Sequence, residues 1–144
     1  MLVSQILKDK ATQGVLTVTK DTSVADAAAL LSKEGVGAVI VSEDGVHVQG
    51  IVSERDVVRE LGSRGTDCLR DPVSAIMTEK LIGCLPGDRA ISVLQKMTEG
   101  RFRHMPVMEG DEMVGLVSIG DVVKARLEEL SQQAESLKSM IMGY

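Results

Sequence analysis

The chain has very few aromatic residues, cysteines and prolines. Its 144 residues include no Trp, one Phe, one Tyr, two Cys and three Pro. Hydrophobic residues still make up 44% of the chain, so its core must be built from Val, Ile, Leu, Ala and Met. Cys68 and Cys84 show neither a CxxC nor a metal-ligand spacing. We therefore expect two free thiols and a reducing compartment, the cytoplasm.

An excess of basic residues and long apolar runs are also missing. The formal net charge is −5 at pH 7, which excludes a global positive field that would attract nucleic acid or anionic lipid. No apolar run approaches the ~18 residues that a membrane span requires. The first residues, MLVSQ, lack the charged start and apolar stretch of a secretory signal. These absences predict a protein with neither a nucleic-acid partner nor a membrane partner.

Motifs of catalysis are missing as well. The chain has only two histidines, and no Ser/His/Asp or Cys/His set is evident. It contains neither a GxxxxGK[ST] nor a GxGxxG phosphate loop, and no His, Cys and carboxylate residues stand at metal-ligand spacing. We therefore predict that the protein is not an enzyme and has no catalytic or metal site.

What the chain does contain is an internal repeat. The segment GIVSERDVV at 50–58 recurs as GLVSIGDVV at 115–123, an offset of 65 residues. Upstream, residues 36–41 align with 102–107 at an offset of 66. Each copy predicts the order β-α-β-β-α. The predicted elements are strands at 14–18 and 81–85, helices at 24–34 and 90–99, hairpin turns at 43–45 and 109–111, and helices that begin at Ser53 and Ser118.

The repeat sets the expected fold class, a mixed α/β (α+β) chain with two tandem repeats. One such unit of about 60 residues would be marginally stable alone. We therefore expect the two copies to pack with pseudo-twofold symmetry and to form two equivalent clefts. The predicted divisions are the first repeat with an N-terminal helix at 1–62, a polar linker at 63–72, the second repeat at 73–130 and a helical extension at 131–144.

The repeated Gly-apolar-Val-Ser-x-x-Asp motif carries two interpretations. A helix that begins at Ser53 or Ser118 directs free N–H groups at an anion such as phosphate, and the glycine of the motif lets the backbone come close to a ligand. Asp56 or Asp121, one turn later, can accept both hydroxyls of a ribose diol. The alternative is a capping box, in which Ser and Asp satisfy only their own helix start. Arg55 either contacts a phosphate or pairs with a neighbouring carboxylate at the surface.

These residues resemble tandem cystathionine-β-synthase (CBS) domains, a pair often called a Bateman module. The resemblance covers roughly residues 1–130, and the chain is similar to free-standing bacterial or archaeal members of this family. The paired motif carries it, together with Met105-Pro106-Val107 and Ile76-Met77-Thr78. It implies a regulatory module that binds AMP, ADP, ATP or an NAD-type ligand in clefts between the repeats and so controls a partner protein.

The resemblance also implies roles for individual residues. Asp56 and Asp121 would hold ribose hydroxyls. Phosphate contacts would come from Ser53, Arg55, Ser118, Arg103 and His104. Each base pocket would come from the opposite repeat: Leu16, Val36 and Gly37 for the Asp121 cleft, with Lys10 or Thr12 at its edge, and Thr78, Ile82, Phe102 and Arg103 for the Asp56 cleft. Gly120 replaces the hydroxyl or basic residue that many members carry, which leaves the phosphate affinity of that cleft open.

The C-terminal region predicts a helix with a coiled-coil seam. Apolar residues at 123, 127, 130, 134, 137 and 141 are spaced 4, 3, 4, 3 and 4 residues apart. This spacing favours a homodimer, and the resemblance agrees, since the family often forms dimers. The alternative is a helix that folds back onto Leu2, Val3, Ile6 and Leu7. The competing function is therefore a protein-interaction or dimerisation scaffold without a ligand.

Overall fold

The computed structural model describes residues 1–10 and 14–143 and contains the predicted mixture of helices and strands. In chain order the elements are α1 (Val3–Asp9), β1 (Thr17–Val18), α2 (Val24–Glu34), β2 (Ala38–Val41), β3 (Gly50–Ser53), α3 (Glu54–Arg64), α4 (Ala90–Gly100), β4 (His104–Glu109), β5 (Glu112–Ser118) and α5 (Ile119–Met142). Two 3-10 helices, Gly65–Arg70 and Val73–Ala75, lie between α3 and α4. The order β-α-β-β-α is thus confirmed for the first repeat.

Local signals account for the bounds of α2. The Ser23 side chain accepts a hydrogen bond from the Asp26 N–H at 3.1 Å, which caps the helix start. Gly35 adopts a left-handed conformation (φ 64°) and ends the helix. Between them Val24, Ala27 and Leu31 recur at helical spacing and are buried. The prediction of a helix over 24–34 is confirmed.

The predicted strand at 81–85 is wrong, because two prolines limit its pairing. Only a single parallel bridge forms there, between Cys84 and Val107. The Cys84 N–H donates to the Pro106 carbonyl at 3.0 Å, and the Met108 N–H donates to the Cys84 carbonyl at 2.8 Å. Extending this ladder in either direction would need an N–H from Pro86 or Pro106, and proline has none. In the first repeat β1 pairs with β2 over two residues, where no proline interrupts.

The described residues form two compact units, each built from non-contiguous stretches. Unit 1 comprises Met1–Gln13, Gly83–Met108 and Gly115–Tyr144, and unit 2 comprises Gly14–Ile82 and Glu109–Val114. Each unit has its own aliphatic core, as the composition predicted. The buried core of unit 1 includes Val3, Ile6, Val93, Met97, Met105, Val107, Val117 and Val122. The buried core of unit 2 includes Val24, Leu31, Val39, Val41, Val52, Val73 and Ile76.

The segment that begins each repeat occupies equivalent positions in the two units. In unit 1 the Ala90 N–H, at the start of α4, donates to the Met1 carbonyl at 2.9 Å. In unit 2 the Val24 N–H, at the start of α2, donates to the Asp71 carbonyl at 2.8 Å. Residues 1–10 therefore complete the unit that holds the second repeat, and residues 71–77 complete the unit that holds the first.

The long helix α5 is buried only near its start. Val122 and Ala125 are buried in the unit 1 core together with Val3 and Ile6 of α1. The heptad positions are a different set, and they stay exposed: 61% for Leu127 and 76% for Ile141. Packing against the N-terminal residues therefore involves another face of α5 near its start and not the seam.

Residues 63–72, predicted as a linker, contain the end of α3 and a 3-10 helix. Arg64 pairs with Asp71 at 2.8 Å and with Glu60 at 3.0 Å, which ties this stretch to α3. Cys68 and Cys84 are both free and buried, as predicted. Across residues 1–10 and 14–143, no helix combines the length and the apolar character that a bilayer crossing needs.

Candidate functional site

Both repeated helix starts form complete capping boxes. In α3 the Ser53 N–H donates to the Asp56 carboxylate at 2.8 Å, and the Asp56 N–H donates to the Ser53 hydroxyl at 3.3 Å. In α5 the Ser118 N–H donates to Asp121 at 2.9 Å, and the Asp121 N–H donates to Ser118 at 3.1 Å. Both aspartates thus fold back onto their own helix start, as the capping interpretation requires. Any ligand role must use what these bonds leave over.

Few backbone donors at these helix starts remain for an anion. A helix has four N–H groups without an intrahelical partner at its start. The capping box uses two of them, and a third donates to a carbonyl: Glu54 to Gly37 at 2.9 Å, and Ile119 to Arg103 at 2.7 Å. Within the described part of the chain, the N–H groups of Arg55 and Gly120 are the ones these bonds leave. Each helix start therefore offers a phosphate fewer backbone N–H groups than the sequence suggested.

Asp56 is closed off by its own helix. The residue is 5% exposed, and its Oδ2 accepts from both the N–H and the hydroxyl of Ser53. Its other oxygen, Oδ1, accepts from the Arg59 guanidinium at 3.0 Å. The sequence analysis missed Arg59, although the spacing of three residues from Asp56 is the signal for such a pair on a helix. A ligand at Asp56 would have to displace this arginine.

Asp121 is more accessible and has a different partner. Its side chain is 25% exposed, and its Oδ2 lies 2.9 Å from the Lys10 Nζ. Lys10 also donates to the Leu116 carbonyl at 2.8 Å. Burial by itself raises the pKa of Asp121, but the Ser118 N–H and the Lys10 ammonium outweigh it, so the pKa lies below its ordinary value. The Ser118 N–H and the Lys10 ammonium both contact Oδ2 of this carboxylate.

A cavity of about 190 Å³ opens beside Asp121. Ligand pockets for small molecules usually span roughly 300–1,000 Å³, so this space suits a sugar and one further group but not a whole nucleotide. Its lining carries both signs of charge, with two lysines and three carboxylates. The residues that line it, all in unit 1, are Met1, Ile6, Asp9, Lys10, Asp121, Lys124, Ala125 and Glu128.

The repeated glycines of the motif serve packing within each unit. A Cβ on Gly50 would lie 2.6 Å from the Met77 Sδ and 3.1 Å from the Thr78 carbonyl oxygen. A Cβ on Gly115 would lie 2.7 Å from the Leu7 side chain. The sequence interpretation, that glycine here lets the backbone approach a ligand, therefore needs correction. At Gly120 a Cβ would meet only the Ser118 hydroxyl, at an ordinary 3.6 Å.

The remaining residues expected at phosphate lie near these helix starts or at the surface. Arg55 is exposed on the first turn of α3, and Arg103 is exposed with its carbonyl bound to the start of α5. His104 is half-buried and begins β4. Because Arg59 takes Asp56, the pairing of Arg55 with Asp56 that the surface interpretation offered is not formed.

The residues expected at the base pockets divide between the two units. Lys10 lies in unit 1 and contacts Asp121, while Thr78 lies in unit 2 and pairs with Ile51 of β3, two residues before Ser53. Thr12 falls outside the described residues. Leu16 and Val36 pack against the core of unit 2, and Phe102 packs against the core of unit 1. Gly37 and Ile82 belong to unit 2, and Arg103 belongs to unit 1.

A separate charged cluster lies at the tips of the hairpins in unit 2. The His47 Nδ1 lies 2.5 Å from the Asp44 carboxylate, and its Nε2 lies 3.6 Å from Asp111. These interactions raise the pKa of His47, chiefly through the hydrogen bond to Asp44. His47, Asp111 and Glu112 are the one group of potential metal ligands found among the described residues, and all three are exposed.

Comparison with known proteins places this architecture in a family. The CBS domain model matches the chain twice, over residues 3–63 and 73–128. The chain belongs to the CBS domain family. Each match is contiguous in sequence, whereas the two compact units of this CBS pair exchange the segments that begin the repeats. The predicted family and the predicted fold class are thereby confirmed.

Individual relatives share the whole CBS pair. The chain is 36% identical to the mitochondrial CBS domain-containing protein CBSX3 of Arabidopsis thaliana, over 98% of this chain and 72% of that protein. A CBS-domain containing protein of Agrobacterium tumefaciens superposes with a TM-score of 0.83 at 39% identity, over 88% of this chain and 99% of that one. A CBS domain protein of Pyrobaculum aerophilum, complexed with AMP, superposes with a TM-score of 0.77 at 26% identity, over 92% and 99% of the two chains.

Proposed function

We propose that this CBS pair is a regulatory module that binds an adenosine nucleotide in unit 1, with Asp121 as the anchor for the ribose hydroxyls. The observation that carries the proposal is the half-buried Asp121 carboxylate, which lines a cavity and keeps acceptor capacity after it caps its helix. A carboxylate offers about four acceptor sites, and the Ser118 N–H and the Lys10 ammonium both contact one oxygen, Oδ2. The relative complexed with AMP supports this ligand class.

The phosphate in this proposal lies among the groups next to Asp121. The candidates are the N–H of Gly120, the Ser118 hydroxyl, Lys10 and Lys124, with Arg103 just before β4 and His104 at its first position. ADP, ATP and NAD-type ligands carry the same ribose diol, so the titration includes them beside AMP. Control of a separate partner protein and a reducing, cytoplasmic setting belong to the same proposal. The two free, buried thiols support that setting.

Isothermal titration of AMP into the wild type and Asp121→Asn tests the anchor. The substitution keeps the shape of the side chain but removes its charge, and a hydrogen bond to a charged group contributes about 1.5–3 kcal/mol. We expect AMP affinity to fall about ten- to a hundredfold. A wild type that binds none of these nucleotides at millimolar concentration would refute the proposal.

Asp56→Asn is the matched control, because it removes the same charge from the same position of the other repeat. Since Arg59 and Ser53 already occupy both Asp56 oxygens, we expect the AMP affinity measured at the stronger site to change less than threefold. A second, weaker site at Asp56 stays a prediction, and it requires Arg59 to move. Equal losses of AMP affinity in the two variants would indicate that both carboxylates contact a ligand.

The exposed seam of α5 favours a second function, pairing with another copy of this chain. Leu127, Leu130 and Leu137 are 61%, 45% and 58% exposed, and they continue the heptad spacing along one face. Within the described chain, residues 131–138 are all exposed, so almost no tertiary packing holds this part of the helix. Helices in proteins gain most of their stability from the packing of an apolar face, which favours a paired state for this exposed stretch.

Sedimentation equilibrium of Leu137→Gln tests this pairing. Glutamine keeps the helix propensity of leucine but removes a seam side chain, so we expect the dimer to dissociate at least tenfold more readily. Glu135→Gln lies on another, exposed face of α5 and serves as the control that keeps the dimer. A monomeric wild type at all concentrations would contradict the second function and leave the nucleotide proposal unaffected.

A further inference from the structure

Lys10 occupies one of the two Asp121 oxygens that a ribose diol would bind. Its Nζ lies 2.9 Å from the Asp121 Oδ2 and donates to the Leu116 carbonyl at 2.8 Å. Both groups belong to unit 1, and Lys10 follows directly after α1, which is packed into the unit 1 core through Val3 and Ile6. The lysine is therefore delivered to Asp121 by a fixed element and is itself half-buried.

A ligand diol and the Lys10 ammonium compete for one carboxylate. The cavity beside Asp121 holds about 190 Å³ with Lys10 in its wall, less than a nucleotide needs. A ribose diol that binds Asp121 through both carboxylate oxygens must therefore displace Lys10 or share Oδ2 with it. A displaced ammonium in this half-buried position needs another anion, because an unpaired charge is costly away from bulk water.

We infer that Lys10 is a latch on Asp121 that the phosphate of the ligand releases: the ribose takes over the carboxylate, and the ammonium moves to the phosphate. A nucleoside without a phosphate breaks the Lys10–Asp121 ion pair and provides no other anion for the Lys10 ammonium. A nucleoside monophosphate breaks the same pair and replaces it. Lys10 thereby sets the preference for phosphorylated over unphosphorylated ligands. This inference rests on the proposed function.

In the described part of the chain, no lysine from another element is paired with Asp56 in the first repeat. There the Asp56 carboxylate is held by Arg59 of its own helix, three residues away, and the residue at the position of Arg59 in the second repeat is Lys124. Lys124 lines the cavity, whereas Lys10 forms an ion pair with Asp121. The latch is thus a property of one site, which gives the two repeats different ligand requirements.

The test compares AMP and adenosine on the wild type and on Lys10→Met. Methionine keeps the unbranched side chain and removes the ammonium. Since a partly exposed ion pair changes affinity by a few-fold, we expect Lys10→Met to bind adenosine about threefold more tightly and AMP at least threefold more weakly. The AMP/adenosine preference then falls by about tenfold, and Lys10→Arg restores most of it.

Lys8→Met is the matched control, because Lys8 is exposed on the same helix and the substitution removes the same charge. It should leave both affinities and their ratio unchanged. An unchanged ratio in Lys10→Met, with AMP binding that still depends on Asp121, overturns the latch but not the proposed function. Loss of affinity for both ligands in equal measure also overturns it, since that result marks Lys10 as a plain structural residue. Absence of all binding by the wild type overturns both.

Discussion

At the scale of single residues, the same repeated motif has produced two unequal sites. Ser and Asp form the same capping box twice, as the capping alternative of the sequence analysis required. The partners that decide accessibility, Arg59 for Asp56 and Lys10 for Asp121, lie outside the repeated residues. Lys10 is far from Asp121 in sequence, so no local pattern reveals this pair. A duplicated motif thus predicts a shared backbone but not shared chemistry.

Glycine at the start of β3 makes a prediction of this scale. Gly50→Ala places a Cβ 2.6 Å from the Met77 Sδ and 3.1 Å from the Thr78 carbonyl, where both a side chain and the backbone must move. Overpacking of this kind costs about 1–3 kcal/mol, and we expect that loss in urea unfolding. Gly62→Ala is the control, since nothing lies within 4 Å of its Cβ on exposed α3. That variant should gain roughly 0.5–1 kcal/mol.

A smaller loss is expected from the equivalent Gly115→Ala, because the atoms that its Cβ would meet are the flexible end of the Leu7 side chain. Equal stability of Gly50→Ala and the wild type would show that the close packing at Met77 is not what requires glycine. In that case the ligand-approach interpretation of the motif would regain its force.

At the scale of elements, a cap and a glycine predicted the bounds of α2, while pairing decided the strands. The helix over 24–34 ends where Ser23 and Gly35 place it. The helix predicted over 90–99 extends to Gly100, and its start at Arg89 has no side-chain cap. The strand predicted over 81–85 failed because strand formation depends on a partner, and Pro106 on that partner removes a ladder donor.

The hairpin tips of unit 2 carry a pH-dependent contact that belongs to this scale. Hydrogen bonding to Asp44, and then the charges of Asp44 and Asp111, raise the pKa of His47 above its ordinary value of 6.5. A raised folded-state pKa means that protonated His47 stabilises the fold fully below pH 6.5, and that this contribution is lost as pH rises through the folded-state pKa. Wild type should therefore lose stability relative to His47→Gln on going from weakly acidic to alkaline pH.

Urea midpoints of the two proteins at several pH values measure this difference, and the paired comparison cancels the pH effects that both proteins share. Asp111→Asn removes one of the three carboxylates that raise the pKa of His47 and should reduce, without abolishing, the pH dependence. A gap between wild type and His47→Gln that stays constant across this range would contradict the assigned role of His47.

At the scale of the whole molecule, the units do not follow the repeats. Val3, Ile6 and Leu7 in α1 have counterparts in Val73, Ile76 and Met77, which the structure makes evident because both sets are packed beside equivalent strands and helices. The sequence alignment began later in each repeat and did not find this similarity. It also gave no reason to assign the first residues to the unit of the second repeat, since that assignment depends on packing alone.

This exchange of segments predicts how the chain tolerates being divided. A fragment of residues 1–70 keeps α1 but lacks Val73 and Ile76, which are 0% and 4% exposed in the core of unit 2. Burial of two such side chains contributes roughly 3–6 kcal/mol, a large part of the roughly 5–15 kcal/mol that holds a domain together. A fragment of residues 14–82 has nearly the same length and keeps both residues. We therefore expect a cooperative urea transition by circular dichroism for 14–82 and none for 1–70. If 1–70 unfolds as cooperatively as 14–82, then residues 71–77 do not complete unit 2, and the fold would instead follow the order of the repeats along the chain.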